Sequence, residues 1–175
     1  GEPFVRSDFL ELLHEFALRK AFFSFGILTN GLLITDEIAA YLGELSPRFV
    51  QVSDEGPRET HDRIRGKGNY DRVVAGVRKL IEANVFTLIS FTAHRQNFRE
   101  FPEVARLGCR LGVGRVWTDR LIPSGTGKSM EEAVMSPAET REYCEIIRQA
   151  QEEATRSRCR RTEISAHRAL QFLLG

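Results

Sequence analysis

The chain has 175 residues, 42% of them hydrophobic and 28% charged, with 14 Gly and 6 Pro. That mixture excludes a disordered, collagen-like or low-complexity chain and fits one globular domain. The 25 basic and 24 acidic residues leave a net charge of +1, so no overall field points to a nucleic acid or a membrane surface.

In chain order, Ser7 and Asp8 read as caps of a helix whose apolar stripe is Phe9, Leu12, Leu13, Phe16 and Ala17. Phe22 to Leu28 reads as a buried strand that closes on Thr29-Asn30-Gly31, a turn with Gly at positive φ. Asp36 caps a second helix carrying Ile38, Ala39, Tyr41, Leu42 and Leu45, and Pro47 ends it before the strand Phe49–Val52. A polar, glycine-punctuated stretch then runs from Ser53 to Asn69.

The alternation repeats with a helix over Tyr70–Ala83, a strand over Val85–Phe91, a helix over Phe101–Leu111 and a strand over Val113–Thr118. After a Gly/Ser-rich loop, Ser136-Pro137-Ala138-Glu139 is a helix start with Ser as cap, Pro first and Glu third. That helix is expected to reach about Ala154, and Ser165–Leu174 to form a last short one.

Strands and helices therefore alternate, with short connections and apolar strands. The pattern predicts an α/β fold of parallel strands in right-handed βαβ units, part of a larger sheet or barrel. Ligands of such folds bind at the carboxyl ends of the strands. The polar residues there are Asn30-Gly31, Ser53–Gly56, Thr92–Asn97 and Asp119–Gly127. Of the strand residues themselves, Trp117 reads as core, with Asp119 and Arg120 toward a substrate side.

Several simpler chemistries fail. Ser124-Gly125-Thr126-Gly127-Lys128-Ser129 resembles the second half of a phosphate loop, but Ile122 stands where its first Gly is needed. His14, His61, His94 and His167 do not pair at metal-ligand spacing, and no Ser-His-Asp or Cys-His arrangement is legible. No strand ends on a Lys, as an aldolase-like site would require. The three cysteines, Cys109, Cys144 and Cys159, are odd in number and widely spaced. They predict no disulfide framework and fit a reducing cytoplasm, with Cys109 and Cys144 as small core residues and Cys159 exposed.

Taken in order, Gly1-Glu2-Pro3 before the first helix, Thr29-Asn30-Gly31, Ser53-Asp54-Glu55-Gly56, His61-Asp62-Arg63-Ile64-Arg65 and Arg120-Leu121-Ile122-Pro123 resemble the middle of a radical S-adenosylmethionine (SAM) enzyme. The subgroup most resembled carries a C-terminal cysteine-rich SPASM domain and includes peptide maturases. The resemblance implies a partial (β/α)₆ barrel with residues 1–154 as its central part and 155–175 as a helical linker toward a further domain. It implies a [4Fe-4S] cluster held by a CxxxCxxC loop, an external reductant, and a 5′-deoxyadenosyl radical that abstracts hydrogen from a peptide or protein substrate.

By the same resemblance, Gly1, Glu2 and Pro3 receive the SAM amino group and Ser53 the ribose. Arg65 pairs with the SAM carboxylate, Leu121 meets adenine, and Asn97 contributes to the cavity wall. Where the family has Ser-Leu-Asp-Gly, this chain has Glu at the third position. No CxxxCxxC occurs in the 175 residues. The chain opens on Gly1 in a loop-like segment, so it is expected to be a piece of a longer protein, inactive by itself and able to self-associate through an unpaired strand edge. The competing expectation is a non-catalytic α/β binding module derived from such a barrel.

Overall fold

The computed structural model describes residues 1–19, 21–22, 24–123, 131–157, 159–167 and 170. Its centre is a five-stranded, wholly parallel sheet in the order β1-β2-β3-β4-β5. The strands are β1 Gly26–Thr29, β2 Phe49–Asp54, β3 Thr87–Ala93, β4 Arg115–Arg120 and β5 Glu163–Ala166. The helices are α1 Phe9–Leu18, α2 Asp36–Leu45, α3 Arg58–Arg65, α4 Asn69–Glu82, α5 Phe101–Leu111 and α6 Pro137–Arg156. Strands that pair strictly in chain order through right-handed crossovers carry all their helices on one face, the geometry of a barrel segment.

The strand side chains sort accordingly. Ile27, Val50, Val52, Ile89, Phe91, Val116 and Ile164 are buried in the core under the helices. Their neighbours Leu28, Gln51, Ser53 and Trp117 point to the opposite, open face and keep part of their surface. Tyr143 of α6 anchors the core at β4: its ring is fully buried edge-on to Phe98 and Phe101, and its hydroxyl meets Thr118.

Local signals explain most helix ends. The α6 capping box forms as expected, with Glu139 N–H donating to Ser136 Oγ (3.2 Å) and Ser136 N–H to Glu139 Oε2 (2.7 Å). Thr35, not Asp36, caps α2, its Oγ1 accepting from Ile38 N–H at 3.2 Å. Asp8 does not cap α1, because its carboxylate pairs with Arg6 instead. Gly31 does take positive φ, at 78°. Helix α4 packs so close to that turn that a Cβ on Gly76 would lie 2.6 Å from the Gly31 carbonyl oxygen.

Four expectations change. The first strand is Gly26–Thr29, shorter than the apolar run, with Phe22 88% and Leu28 59% exposed; among the described residues β1 pairs only with β2. The polar stretch after β2 contains helix α3, whose one aliphatic residue, Ile64, is itself 40% exposed, so it has no apolar stripe to read. Residues 163–166, expected in a linker and a final helix, form β5 beside β4. Trp117 is not core: it stands on the open face in register with Ser90 and Ser165.

Cys109 and Cys159 also form a disulfide, contrary to the reading of Cys109 as a core thiol. The helices α5 and α6 pack side by side, and the chain leaving α6 for β5 passes the last turn of α5, with Cα atoms 5.7 Å apart. Cys144 is free and buried, and that burial pushes its thiol pKa up. No helix among the described residues is long and apolar enough to cross a membrane.

The crosslink closes a span of 50 residues, for which chain entropy predicts at most about 4 kcal/mol of stability. Reduction should therefore lower the melting temperature, as should Cys109→Ser. The oxidised native chain should show no fast-reacting thiol and one thiol after unfolding without reductant. Three accessible thiols in a chain purified without reductant would remove the bridge.

Candidate functional site

A parallel sheet brings every strand's carboxyl end to one edge, and the loops after β1, β2 and β3 are built from hydrogen bonds to named side chains. At β1, the Glu2 carboxylate accepts from Thr29 Oγ1 (2.8 Å), Asn30 N–H (2.6 Å) and Phe4 N–H (3.3 Å). The same residue thus starts the chain's first 3₁₀ turn, Pro3–Val5, and clasps the end of β1. Gly1 and Pro3 lie beside it, lining a shallow cleft with Ile27 and Leu28.

The end of β2 is denser. Ser53 pairs in register with Ser90 and faces the open side, and its hydroxyl makes no hydrogen bond to another described residue. Asp54 and Glu55, only 3% and 5% exposed, are adjacent carboxylates that burial would penalise heavily without partners. Asp54 Oδ1 lies 2.8 Å from His61 Nδ1 and accepts from Gly56 N–H at 3.2 Å. The Glu55 N–H also faces His61 Nδ1, at 3.3 Å. The shorter contact, to a carboxylate, assigns the Nδ1 proton to the Asp54 bond. Glu55 Oε1 accepts from both Nε (2.9 Å) and Nη2 of Arg65.

Helix α3 makes these pairings possible. His61 and Arg65 are four residues apart, one helical turn, and both look back at the end of β2. Asp62 sits between them and caps the next helix, accepting from Gly68 N–H (2.8 Å) and Tyr70 N–H (2.9 Å). Those two bonds hold its carboxyl below the usual pKa. His61 is buried against the Tyr70 ring, and its Nε2 has no hydrogen-bond partner among the described residues.

Asn97 completes the loop after β3. It is 1% exposed; its Nδ2 donates to the carbonyls of Glu55 (3.1 Å) and Thr92 (3.2 Å), and its Oδ1 accepts from His94 N–H (2.8 Å). Every amide group is used, so Asn97 ties the β2 and β3 loops together instead of forming a cavity wall. At β4, Leu121 N–H donates to Ala93 O at 2.7 Å, leaving the side chain half-buried at the same edge. The Ser124–Ser129 segment lies outside the described residues. On the open face, Trp117 meets the His167 ring edge-on at 6.1 Å, and His167 Nδ1 lies 3.7 Å from Asp119 Oδ2.

The sequence-predicted residues thus divide. Glu2, Ser53, Arg65 and Leu121 do gather at one edge, while Asn97 serves the loops. Reading the strand ends alone missed Glu55 as the partner of Arg65 and the Asp54–His61 pair. The four-residue spacing of His61 and Arg65 was the signal that could have revealed both.

A family model described as the radical SAM superfamily matches residues 1–108. The chain belongs to that superfamily. Over 148 residues it is 34% identical to the Fe-coproporphyrin III synthase of Methanosarcina barkeri, covering 84% of this chain and 37% of that protein. Over 142 residues it is 39% identical to the mycofactocin maturase MftC of Mycolicibacterium smegmatis, covering 79% of this chain and 35% of that protein. The chain therefore spans little more than a third of either relative. Its fold matches Streptococcus suis SuiB solved with S-adenosylmethionine, with a TM-score of 0.78 at 15% identity over 95% of this chain and 38% of that one. It also matches anSMEcpe solved with AdoMet and the Cp18Cys peptide, with a TM-score of 0.75 at 19% identity over 93% and 48%.

Radical SAM enzymes use SAM and a [4Fe-4S] cluster. The two fit this chain differently. Among the described residues, the Ser53 hydroxyl and one edge of the Arg65 guanidinium have no hydrogen-bond partner at the strand ends, which suits a ligand bearing hydroxyls and a carboxylate. The cluster has no ligands here: the three cysteines are a disulfide pair and one buried thiol, and no metal-holding group occurs among the described residues.

His94 supplies a pH test of the loop. It is 6% exposed, its Nδ1 accepts from Gln96 N–H at 3.3 Å, and burial holds its pKa below the ordinary value. The unfolded chain therefore binds the proton more readily, so the stability His94 contributes is present above about pH 6.5 and is lost as pH falls through the lower folded value. Denaturant unfolding between pH 8 and 5 should show this loss, and His94→Gln should flatten it.

Proposed function

We propose that this chain is the SAM-binding part of a radical SAM oxidoreductase of the SPASM-containing subgroup, acting on a peptide or protein. The observation that carries the reading is that the Ser53 hydroxyl and the outer edge of the Arg65 guanidinium, both without a hydrogen-bond partner among the described residues, belong to the same end of the sheet.

In this reading Arg65 binds the SAM carboxylate, Ser53 the ribose, Leu121 the adenine, and Gly1-Glu2-Pro3 the amino group. The Glu2 carboxylate keeps its clasp on β1 while it does so. When bound, SAM and a reduced [4Fe-4S] cluster supply a radical able to abstract hydrogen from substrate. The cluster ligands come from outside these 175 residues, since two of the cysteines present are bonded to each other and the third is buried, and the 175 residues alone are inactive. The peptide assignment draws support from the mycofactocin maturase among the relatives and from SuiB solved with its precursor peptide SuiA.

Calorimetric titration with SAM tests the reading. Ser53→Ala should weaken binding by about threefold to tenfold, the loss of one hydrogen bond. Arg65→Gln should weaken it more, by about tenfold to a hundredfold, the loss of a charge-assisted pair. A longer protein that also carries the cluster ligands, once reconstituted, should release 5′-deoxyadenosine and methionine on reduction. SAM binding unaffected by either substitution would remove the site. Binding without cleavage after reconstitution would favour a non-catalytic binding module instead.

The outer edge of β1, unpaired among the described residues, is proposed to drive self-association of the 175-residue chain. Sedimentation should show a concentration-dependent dimer, and a monomer throughout would count against that edge being available.

A further inference from the structure

We propose that Glu55 is a positioning residue that presents Arg65 to the ligand carboxylate, an inference that rests on the SAM reading above. A guanidinium offers two edges to a planar acceptor, one made by Nε and Nη2 and one by Nη1 and Nη2. Glu55 Oε1 takes the first edge, accepting from Nε at 2.9 Å and from Nη2. Among the described residues nothing accepts from Nη1, so the second edge stays open. The guanidinium plane is thereby set before any ligand arrives, and the open edge has the spacing for a second, bidentate carboxylate.

Glu55 is suited to this because it cannot follow Arg65. Its side chain is 7% exposed, against 43% for Arg65. Its carbonyl is held by Asn97 Nδ2 at 3.1 Å, and its N–H faces His61 Nδ1 at 3.3 Å. The adjoining Asp54 is locked to the same imidazole at 2.8 Å. A long, half-exposed arginine ordinarily loses much rotamer freedom when a ligand fixes it, and an immobile carboxylate against its guanidinium removes part of that cost beforehand.

Where the family's Ser-Leu-Asp-Gly pattern has Asp, this chain has Glu55, one methylene longer, and a single one of its oxygens accepts from both Nε and Nη2 of Arg65. Ser53 lies two residues before Glu55, just before β2 ends at Asp54, so both belong to the carboxyl end of that strand.

The test is calorimetric binding of SAM to the wild-type protein and to Glu55→Ala, Glu55→Gln, Arg65→Gln and the double variant Glu55→Ala/Arg65→Gln. Glu55→Ala should weaken binding by about fivefold to tenfold, through loss of the pre-set arginine. Glu55→Gln keeps an acceptor oxygen and should stay within about twofold of wild type. Glu55→Ala should cost less than about twofold once Arg65 is already Gln, since the effect runs through that side chain.

Glu55→Ala that binds as tightly as wild type or tighter, while Arg65→Gln binds weakly, would overturn the proposal and leave the SAM reading standing. Losses that simply multiply in the double variant would overturn it too, as they would mean a general effect on the fold. If Arg65→Gln binds as wild type does, the SAM assignment of Arg65 fails and this inference fails with it.

Discussion

Two carboxylates in succession at the end of β2 are almost fully removed from water, and the loops around them exist in the form that satisfies those charges. Asp54 is answered by the imidazole of His61, Glu55 by the guanidinium of Arg65, and both partners come from α3. A buried acid without a partner would either take up a proton or move to solvent. Pairing therefore ties the position of α3 to the strand end. Because α3 is short and nearly devoid of apolar side chains, these polar bonds do for it what a hydrophobic stripe does for α4 and α5. Asp62, on the same turn, then passes the constraint on by capping α4.

The sheet converts this local arrangement into a site. Parallel pairing in strict chain order puts Glu2 with Thr29, Ser53 with Glu55, Asn97 and Leu121 at one edge although they are far apart in sequence. The division of labour among them follows from burial. Enclosed groups are bonded within the protein: the Asn97 amide through both Nδ2 and Oδ1, and the Asp54 carboxylate through Oδ1. Groups that reach the open side, such as the Ser53 hydroxyl and the outer edge of Arg65, keep capacity for a ligand. The enclosed set makes the loops rigid and the open set makes them useful, and neither would function without the other.

Much of the fold was legible in the residues. The capping box at Ser136 and the apolar stripe of α4 announced their helices because the signals are local, lying within one or two turns. The strands β2, β3 and β4 were visible as apolar runs between helices. Helix α3 was not, since its stabilisation comes from side chains that contact the end of β2. Strand β5 was not, because four residues with one large aliphatic side chain, Ile164, carry no periodicity of their own. The disulfide joins positions 50 residues apart whose proximity depends on how α5 and α6 pack. Trp117 was misplaced because a tryptophan in a strand reads as core until the sheet is known to leave one face open.

By itself, the order of residues determined the alternating α/β class, the parallel arrangement, the family resemblance and the absence of a cysteine triad for a cluster. All of these depend on periodicity, turn chemistry and inventory, which adjacent residues carry. Only the tertiary structure decided which of the candidate polar residues are enclosed and which stay open, that Arg65 is held by Glu55, and that Asn97 is a buttress. Those outcomes depend on distances between strand ends and helix faces. Packing sets those distances, and the linear sequence leaves them unspecified.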